Sequence, residues 1–400
     1  MRQTDPVSNP PEAGESARQP IAPPAMIGIL GGGHLGRSFV MAARSMGYRT
    51  TVLDPDATAS AGAVADVHLV AALDDPGALA QLAATCAVVT TERTHVPVPA
   101  LEFLAARTTV HPSPSALAAC QDRIAEKEFL GSIGVPVAPW RPLLTDEHLE
   151  AAADFAFPGI LKSTHPREAG GGHIACWDHD ELHEAWHRLG KVPCLLEQRL
   201  ELDRELSVVI ARNALGSAAC YPVAEDRYVN GSLDVSWVPA KLPGDGHRDA
   251  ARLGTYIAEK LGYVGVLALE MFVVGTDVFL NGLTPCPHRS GQYTLDACTT
   301  SQFEQQVRAV CTLGLGETAL AAKGVAMVNL LGDLWAHGEP NWERALAHPS
   351  AHLHLYGTQE PRPGRTMGHL TLTLGTAEGA AVLAAKAREQ IVADYTRSDG

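Results

Sequence analysis

Three side chains that can do chemistry, Cys286, His288 and Arg289, lie close together in a stretch rich in proline and glycine. The two runs before this stretch, 266–274 and 277–280, are mostly apolar and flank a Gly-Thr pair, a pattern that predicts a β-hairpin. Because a rigid hairpin can aim the side chains of the loop that follows it, this loop is a candidate site. A cysteine beside a histidine suggests a nucleophile, although an unpaired cysteine is more often inert packing.

A second candidate site is the stretch 31–36, which reads Gly-Gly-Gly-His-Leu-Gly. It follows an apolar run at 25–30 and precedes a helical pattern at 37–46, and a further strand is predicted at 49–54. Glycines at such a turn let the backbone approach a phosphate, and the helix N-terminus favours negative charge. Two interpretations remain open at this point. The turn binds a dinucleotide with Asp54 at its ribose, or it is a tight turn that binds none.

The elements that must position these residues alternate between strand and helix as far as residue 120, which predicts a parallel α/β sheet domain. A helix at 122–134 then carries Lys127, and a strand at 160–164 carries Lys162 just before a glycine-rich loop. Strands are also predicted at 194–198, 205–214 and 218–224, and helices at 178–189, 246–261, 301–312 and 377–392. The predicted fold class is therefore α/β.

The composition limits the class of protein. Four hundred residues allow two or three domains, and an apolar share of 46% with 19% charged residues is ordinary for a globular protein. The net charge of −14 argues against a nucleic-acid or membrane-surface binder, which would need a basic face. The eight cysteines include no C-x-x-C pair, so we expect reduced thiols in a cytoplasmic protein. Residues 1–24 lack an apolar segment and predict a disordered leader.

Several longer stretches resemble the ATP-grasp superfamily, and within it the N5-carboxyaminoimidazole ribonucleotide synthase family. The matching motifs, in chain order, are GGGHLGR, QDRIAEKEFL, DRELSV, YTLDACTTSQFE, MVNLLGDLW, GEPNW, HLYG and RPGRTMGHL. The resemblance implies an N-terminal parallel α/β domain at 25–120, a central ATP-grasp α+β domain at 121–322 and a small C-terminal domain at 323–400. It also implies a flexible loop at 163–173 and a glycine turn that holds a ribonucleotide phosphate instead of a dinucleotide.

The resemblance further implies an ATP-dependent reaction in which bicarbonate is phosphorylated and the amine of aminoimidazole ribonucleotide captures the carboxyl group. Lys127 and Lys162 match the phosphate-facing lysines of the family, Glu197 matches the residue near adenine, and Glu205 matches the residue at the ribose hydroxyls. The expected phosphate contacts of the ribonucleotide are Gly33, His34, Leu35, Arg37, Arg362 and Arg365. Arginine forks suit a phosphate monoester.

The expected magnesium site departs from the family's pattern. Glu270 and Asn281 match two of its positions, but the second glutamate is replaced by Gly282, which has no carboxylate to offer. Because Mg²⁺ prefers oxygen ligands, the expectation of ATP and Mg²⁺ as cofactors then depends on a substitute ligand. Asp277 and Glu168 are the candidate substitutes.

The carboxylation machinery departs from the pattern too. The family's loop arginine is Cys286 and its asparagine is Arg289, while His288 is retained. The lysine expected after the Arg-Pro-Gly-Arg motif is Thr366, and the Tyr-Asp pair of the flexible loop is Glu168 followed by alanine. The set of Cys286, His288, Arg289 and Glu168, with His95, is therefore the candidate catalytic set.

Three functions fit these departures. The first is a divergent ligase-derived enzyme that acts on aminoimidazole ribonucleotide or a related ribonucleotide in specialised metabolism. The second is a genuine N5-carboxyaminoimidazole ribonucleotide synthase of purine synthesis that tolerates the changes, and the third is a catalytically silent nucleotide-binding partner. The resemblance also implies a homodimer.

Overall fold

The structure, a computed structural model, describes residues 19–165, 173–358 and 360–392. The N-terminal domain is a parallel sheet in the order β3-β2-β1-β4-β5, with helices between the strands. Its elements are β1 (Met26–Leu30), α1 (His34–Ser45), β2 (Arg49–Leu53), β3 (Val67–Leu69), α2 (Pro76–Thr85), β4 (Val88–Thr91), α3 (Val98–Ala105), β5 (Thr109–Val110) and α4 (Pro114–Gln121). The strand order reverses at β1, so the glycine turn after β1 lies where ligands of such sheets bind.

The central domain begins with an antiparallel sheet in the order β6-β9-β7-β8. Its elements are α5 (Arg123–Ser132), β6 (Trp140–Leu143), α6 (Asp146–Ala151), β7 (Gly159–Ser163), β8 (His173–Cys176), α7 (His179–Arg188) and β9 (Cys194–Gln198). Asp122 caps α5 by accepting the backbone N–H groups of Ile124 and Ala125, which starts the helix one residue inside the predicted range. This start places Lys127 in the second turn of the helix, facing the interior.

The central and C-terminal domains share one antiparallel sheet in the order β15-β14-β10-β12-β13-β16-β18-β17, with β11 paired to β10. The elements are β10 (Arg204–Arg212), β11 (Ala218–Cys220), β12 (Ala224–Val229), β13 (Ser232–Val238), α8 (Gly246–Lys260), β14 (Gly265–Val274), β15 (Asp277–Thr284), α9 (Thr294–Ala297), α10 (Gln302–Val310), β16 (Gly324–Leu331), α11 (Trp342–Ala345), β17 (Ala351–Leu355), β18 (Thr366–Leu374) and α12 (Ala377–Val392). Pairing of β13 with β16 makes the sheet continuous across the two domains.

The predicted hairpin is confirmed, because β14 and β15 pair antiparallel, and the pair β10 and β11 is confirmed in the same way. The second hairpin strand was predicted too short, since β15 continues to Thr284 and carries Asn281 and Gly282 within the sheet. Helix α8 packs on the sheet through Gly254, where a side chain would come 1.8 Å from the Ile210 Cδ1 atom.

Two predicted boundaries need correction. The helix predicted at 37–46 begins at His34, because Gly33 is in an extended conformation and starts the helix directly after the turn. The disordered leader was predicted too long: Ile21 donates its N–H to the Cys311 carbonyl, 2.9 Å away, and accepts a hydrogen bond from the Tyr48 hydroxyl. Residues 1–18 of that leader lie outside the described residues.

Candidate active site

Two buried lysines share one buried glutamate. Lys127 on α5 and Lys162 on β7 approach Glu197 on β9, whose Oε1 atom lies 2.6 Å from the Lys127 Nζ and whose Oε2 atom accepts a hydrogen bond from the Lys162 Nζ. Burial by itself would raise the pKa of Glu197, but the two ammonium groups hold that pKa below its ordinary value. Glu197 therefore neutralises both lysines and fixes their positions, and the adenine contact that the resemblance implies stays a prediction.

A cavity of about 760 Å³ lies over this ion-pair group. The predicted site residues that line it are Lys162, Glu205, Glu270, Asn281, His288 and Arg289. Lys127 is deeper, with its Nζ atom 3.1 Å from the Asn281 carbonyl oxygen. Segments far apart in the chain thus converge on one cavity with buried cations at its base, an arrangement that suits a nucleoside triphosphate.

Glu270 is one of the two carboxylates that line this cavity. Its Oε1 atom accepts a hydrogen bond of 3.0 Å from the Tyr228 hydroxyl and lies 3.7 Å from the His288 Nε2 atom. Glu205, on the neighbouring strand β10, is half-buried, and burial together with the charge of Glu270 raises its pKa. The two carboxylates therefore repel each other, and a bound cation would relieve that repulsion.

A second carboxylate lies next to the position that lacks one. A Cβ atom at Gly282 would lie 3.4 Å from Oε1 of Glu126 and 4.0 Å from Oε2 of Glu270. Glu126 precedes Lys127 on α5, is buried, and accepts the Leu283 N–H at 2.9 Å through Oε2. Burial raises the pKa of Glu126 to about 7, and the charge of Glu270 contributes in the same direction. Both carboxylates therefore flank the side chain that is missing at residue 282.

These groups fit a magnesium ion. Glu126 and Glu270 supply carboxylate oxygens, Asn281 supplies an amide oxygen 3.5 Å from the Lys162 Nζ, and Mg²⁺ binds oxygen donors of this kind. Asp277 does not fill the gap, because it is exposed at the start of β15, five residues and thus about 16 Å along the strand from Gly282. Glu168, the other predicted substitute, lies outside the described residues.

The three candidate side chains in the loop after β15 lie in different environments. Cys286 is 2% exposed, and burial raises the pKa of its thiol, so the predicted nucleophile is held protonated. The Nδ1 atom of His288 lies 2.8 Å from the Ser290 hydroxyl, and burial lowers the pKa of His288 to about 4. Arg289 lines the central cavity and also a second cavity. Of the three, His288 and Arg289 remain available for chemistry, and Cys286 does not.

The second cavity, of about 660 Å³, surrounds the glycine turn. The predicted residues that line it are Gly33, His34, Arg362 and Arg365, whereas Leu35 and Arg37 do not line it. Arg37 instead donates to the Ser60 carbonyl, 3.2 Å away, and holds the neighbouring loop. Arg93 and Arg289 add two further guanidinium groups to the lining, so this cavity offers four arginines to an anion.

Two carboxylates occupy part of the glycine turn. The N–H of Gly32 donates to Asp54 at 2.7 Å, and the N–H groups of Gly33 and Gly36 donate to Glu92 at 2.7 and 3.1 Å. Asp54 also forms an ion pair of 2.9 Å with Arg93, so it does not take the ribose-binding role of a dinucleotide site. These contacts correct the expectation that Gly33 donates to phosphate, because its N–H already has a carboxylate acceptor.

His34 supplies the most direct sign of a ligand in this cavity. Burial lowers the pKa of His34 to about 3, and its Nε2 atom has no hydrogen-bond partner among the described residues. Its ring stacks on Tyr356 with the centroids 4.5 Å apart. Arg362 forms an ion pair of 2.5 Å with the Glu360 carboxylate, and Arg365 donates to the Glu360 carbonyl oxygen, 3.3 Å away. A phosphate in this cavity would therefore compete with Glu360 for Arg362.

Sequence reasoning missed Glu126, Glu92 and Tyr228. A signal existed for Glu126, because it directly precedes Lys127 in the matching stretch QDRIAEKEFL. No local signal marks Tyr228, which reaches Glu270 only because β12 lies one strand away from β14 across β10. His95, which was predicted to join the catalytic set, lies instead 6.3 Å, ring to ring, from His165.

The chain matches three family domain models in succession. They are the ribonucleotide synthetase preATP-grasp domain over residues 25–121, the ATP-grasp domain over 128–303 and the phosphoribosylaminoimidazole carboxylase C-terminal domain over 325–381. N5-carboxyaminoimidazole ribonucleotide synthase from Brucella melitensis is 42% identical over 356 residues, which cover 88% of this chain and 97% of that protein. The enzyme of the same name from Bacillus subtilis is 37% identical, covering 89% of this chain and 93% of that protein.

Solved structures agree with these sequence matches. The ADP complex of an N5-carboxyaminoimidazole ribonucleotide synthetase superposes with a TM-score of 0.86 at 37% identity, covering 93% of this chain and 98% of that chain. The synthase from Aspergillus clavatus in complex with ADP and 5-aminoimidazole ribonucleotide superposes with a TM-score of 0.83 at 28% identity, covering 92% of this chain and 99% of that chain. The chain therefore belongs to the N5-carboxyaminoimidazole ribonucleotide synthase family of ATP-grasp enzymes.

Proposed function

We propose that this chain is an ATP-dependent ligase that carboxylates the amine of aminoimidazole ribonucleotide, as its relatives in purine synthesis are named to do. The observation that carries the proposal is the position of two charged side chains. Glu126 brings a carboxylate to the place left open at Gly282, and Arg289 brings a guanidinium three residues from Cys286. The carboxylate that is absent at Gly282 and the guanidinium that is absent at Cys286 are therefore supplied by nearby residues.

Arg289 is the residue best placed to serve the carboxylation step. It lines both the cavity over the lysines and the cavity at the glycine turn. Carboxyl transfer has to occur between an activated bicarbonate formed beside ATP and an amine on the ribonucleotide. A cation at the junction of the two cavities can stabilise the charge that develops on the transferred group.

The proposed reaction balances without any further reactant. A bicarbonate oxygen attacks the γ-phosphorus of ATP and ADP leaves, and the amine nitrogen then attacks the carboxyl carbon as phosphate leaves. The amine loses one proton in this second step. His288 lines the cavity and is the candidate acceptor of that proton. Burial lowers the pKa of His288 to about 4 and so weakens it as a base, whereas the Glu270 carboxylate, 3.7 Å from its Nε2 atom, raises that pKa and favours the transfer.

Glu126, Glu270 and Asn281 are the residues that would hold magnesium in this reaction. When bound, Mg²⁺ neutralises charge on the β- and γ-phosphates of ATP. Lys162 and Lys127 act on the same phosphates from below, and Glu205 is on the cavity wall where the resemblance puts the ribose hydroxyls. In the second cavity, His34, Arg362 and Arg365 are the proposed contacts to the ribonucleotide and its phosphate.

A second candidate function is a divergent reaction on a related ribonucleotide, including one in specialised metabolism. The observation that favours it is Thr366, which lines the ribonucleotide cavity where the family's pattern has a lysine. A threonine cannot supply the lysine's charge, although Arg289 and Arg93 line the same cavity. A catalytically silent nucleotide-binding protein is the third outcome that the test below distinguishes.

The test is ADP release from Mg·ATP, measured with and without aminoimidazole ribonucleotide and bicarbonate, with the products resolved by mass. We expect ADP release to depend on both reactants and to yield a product heavier by one carboxyl group. A different product would establish the divergent reaction, and ribonucleotide binding without turnover would establish a silent protein. Glu270→Gln, purified in the same way, is the control for a contaminating ATPase, because a contaminant would give the same ADP release in both preparations whereas activity from this site should fall.

The proposal carries expectations about the state of the protein. We propose a homodimer in the cytoplasm, as the resemblance implies, and all eight cysteines are free, which fits a reducing compartment. In the ranges that the structure describes, no helix is both long and apolar enough to cross a bilayer. Light scattering coupled to size-exclusion chromatography would give twice the 42.4 kDa chain mass for the dimer.

A further inference from the structure

Two histidines and an aspartate meet near the edge of the C-terminal part of the large sheet, and none of the three lines either cavity described above. Asp296 on α9, His354 on β17 and His369 on β18 each bring one donor atom to within 4.8 Å of the other two. His354 and His369 are directly opposite each other in the antiparallel register of the two strands. Their rings stack, with centroids 4.6 Å apart and planes inclined by 13°.

The contacts of Asp296 show how closely this cluster is assembled. The Nε2 atom of His354 lies 3.0 and 2.9 Å from the two carboxylate oxygens of Asp296. His352, two residues earlier and thus on the same face of β17, places its Nδ1 atom 3.7 Å from one of those oxygens. Asp296 is largely buried, with 12% of its side chain exposed, whereas His352 and His354 are open to solvent on one side.

His369 provides the second, independent observation. It is completely buried, and its Nε2 atom has no hydrogen-bond partner among the described residues. Its other nitrogen, Nδ1, lies 2.8 Å from the Tyr356 hydroxyl, and that hydroxyl donates to Gln292 Oε1 at 2.5 Å. When Tyr356 donates to Gln292, Nδ1–H of His369 donates to Tyr356, which leaves a lone pair on Nε2. A buried, unpaired imidazole nitrogen is costly unless a ligand takes it.

From this arrangement we propose that Asp296, His354 and His369 form a binding site for a divalent transition-metal ion, with His352 as a further ligand. Two imidazoles and one carboxylate are a donor set for zinc and for cobalt, nickel or iron in the divalent state. A ligating histidine ordinarily donates its second nitrogen to a fixed acceptor, and Tyr356 is that acceptor for His369.

The donor distances fit this class of ion. Two ligand atoms on one zinc lie roughly 3.3 Å apart, given bonds of about 2.0–2.1 Å in a tetrahedral arrangement. The pair His354 and Asp296 is already closer than this, and the 4.8 Å limit on the third donor requires a side-chain shift of up to about 1.5 Å. Because the two imidazole rings are nearly parallel and an imidazole binds a metal in the plane of its ring, the partly exposed His354 ring must turn out of the stack as the ion binds. His354 and His352 are on the outer edge strand, so an ion can enter from solvent.

The site would have a route to the ribonucleotide cavity. Tyr356, which fixes the second nitrogen of His369, stacks its ring on His34 with the centroids 4.5 Å apart. His34 lines the cavity at the glycine turn. A metal that holds His369 in one tautomer would therefore also fix the hydroxyl of Tyr356, whose ring stacks on His34.

The test is titration of the full-length, metal-free chain with Co²⁺ in a buffer with excess Mg²⁺, which occupies carboxylate sites. We expect one Co²⁺ per chain with the visible absorption bands of nitrogen-ligated cobalt. His354→Gln, at a partly exposed position, should weaken this binding by at least about tenfold. His183→Gln is the matched control, because it removes one histidine of another close pair, with His187 on α7, outside the proposed site.

Two further measurements separate a lost ligand from a damaged fold. Zn²⁺ should raise the thermal unfolding midpoint of the native chain and of His183→Gln but not that of His354→Gln. Asp296→Asn should lose cobalt binding in the same way, which provides a second variant if His354→Gln does not fold. Absence of Co²⁺ binding to the native chain, or equal binding by native chain and His354→Gln, would overturn the proposal.

Discussion

The sharpest test of the proposed active site is Glu126→Gln. This change removes one negative charge while keeping the size of the side chain and an oxygen that can accept the Leu283 N–H, now 2.9 Å from Oε2. If Glu126 replaces the carboxylate missing at Gly282, the variant should bind Mg·ATP more weakly. If Glu126 only accepts the Leu283 hydrogen bond, the glutamine should behave like the native residue.

The size of the effect follows from distance and burial. Two unit charges about 4 Å apart contribute ~4 kcal/mol at an effective dielectric constant of about 20. Part of this is offset, because the free carboxylate is already destabilised by burial and by Glu270. We therefore expect a net loss of about 2–3 kcal/mol, which corresponds to a decrease of about 30- to 150-fold in kcat/KM for Mg·ATP.

The assay is steady-state ADP release at saturating ribonucleotide and bicarbonate, with ATP and Mg²⁺ varied independently. Asp277→Asn is the matched control, since it removes one carboxylate charge from the same hairpin at an exposed position. We expect Asp277→Asn to change kcat/KM for Mg·ATP by less than about twofold. Equal kinetics for the native chain and Glu126→Gln would refute the role of Glu126 in the metal site.

Thermal stability gives a second readout of Glu126→Gln, in which the variant should exceed the native chain although its activity is lower. The pKa of Glu126 is raised from an ordinary 4.5 to about 7 by burial, so the folded state holds the proton more tightly than the unfolded state. This contribution to the free energy of unfolding is present at low pH and is lost as the pH rises from 4.5 to about 7. Without metal, Glu126→Gln should therefore unfold at a higher temperature than the native chain at pH 8, with a smaller difference at pH 5.

Three further predictions concern neighbouring positions. Gly282→Glu alone should not improve Mg·ATP use, because it adds a third carboxylate beside Glu126 and Glu270. In the Glu126→Gln background the same change should restore most of the lost activity. If it does not, residues 126 and 282 do not serve the same role. Arg289→Gln should lower kcat by about 10²-fold, because the Arg289 side chain lines both cavities. Arg362→Gln should raise only the KM for the ribonucleotide. The same kinetic pattern in both variants would count against distinct roles for the two arginines. Glu197→Gln should destabilise the fold by about 3–5 kcal/mol in urea unfolding, because it weakens a buried ion-pair group; an unchanged midpoint would show that the lysines are satisfied without it.

The sequence predicted the features that depend on neighbours in the chain. Two mostly apolar runs around a Gly-Thr pair predicted the hairpin of β14 and β15, and the helix that carries Lys127 was also predicted from the sequence. The motifs and their order indicated the family and its three-domain fold, because long stretches of matching sequence constrain the whole chain. These predictions need no knowledge of which distant segments touch.

Tertiary structure alone decided which charges meet. Glu126 reaches the Leu283 N–H across 157 residues, and Glu92 takes the Gly33 N–H across 59 residues, so neither contact leaves a mark in the local pattern. The same folding buries Cys286, which turns a suggested nucleophile into a protonated packing residue. Spacing along a strand or helix sets which way a side chain points, but its pKa and its partners depend on what other segments pack against it. For this reason the sequence was enough to assign the family, whereas the position of Glu126 beside Gly282 became visible only in the fold.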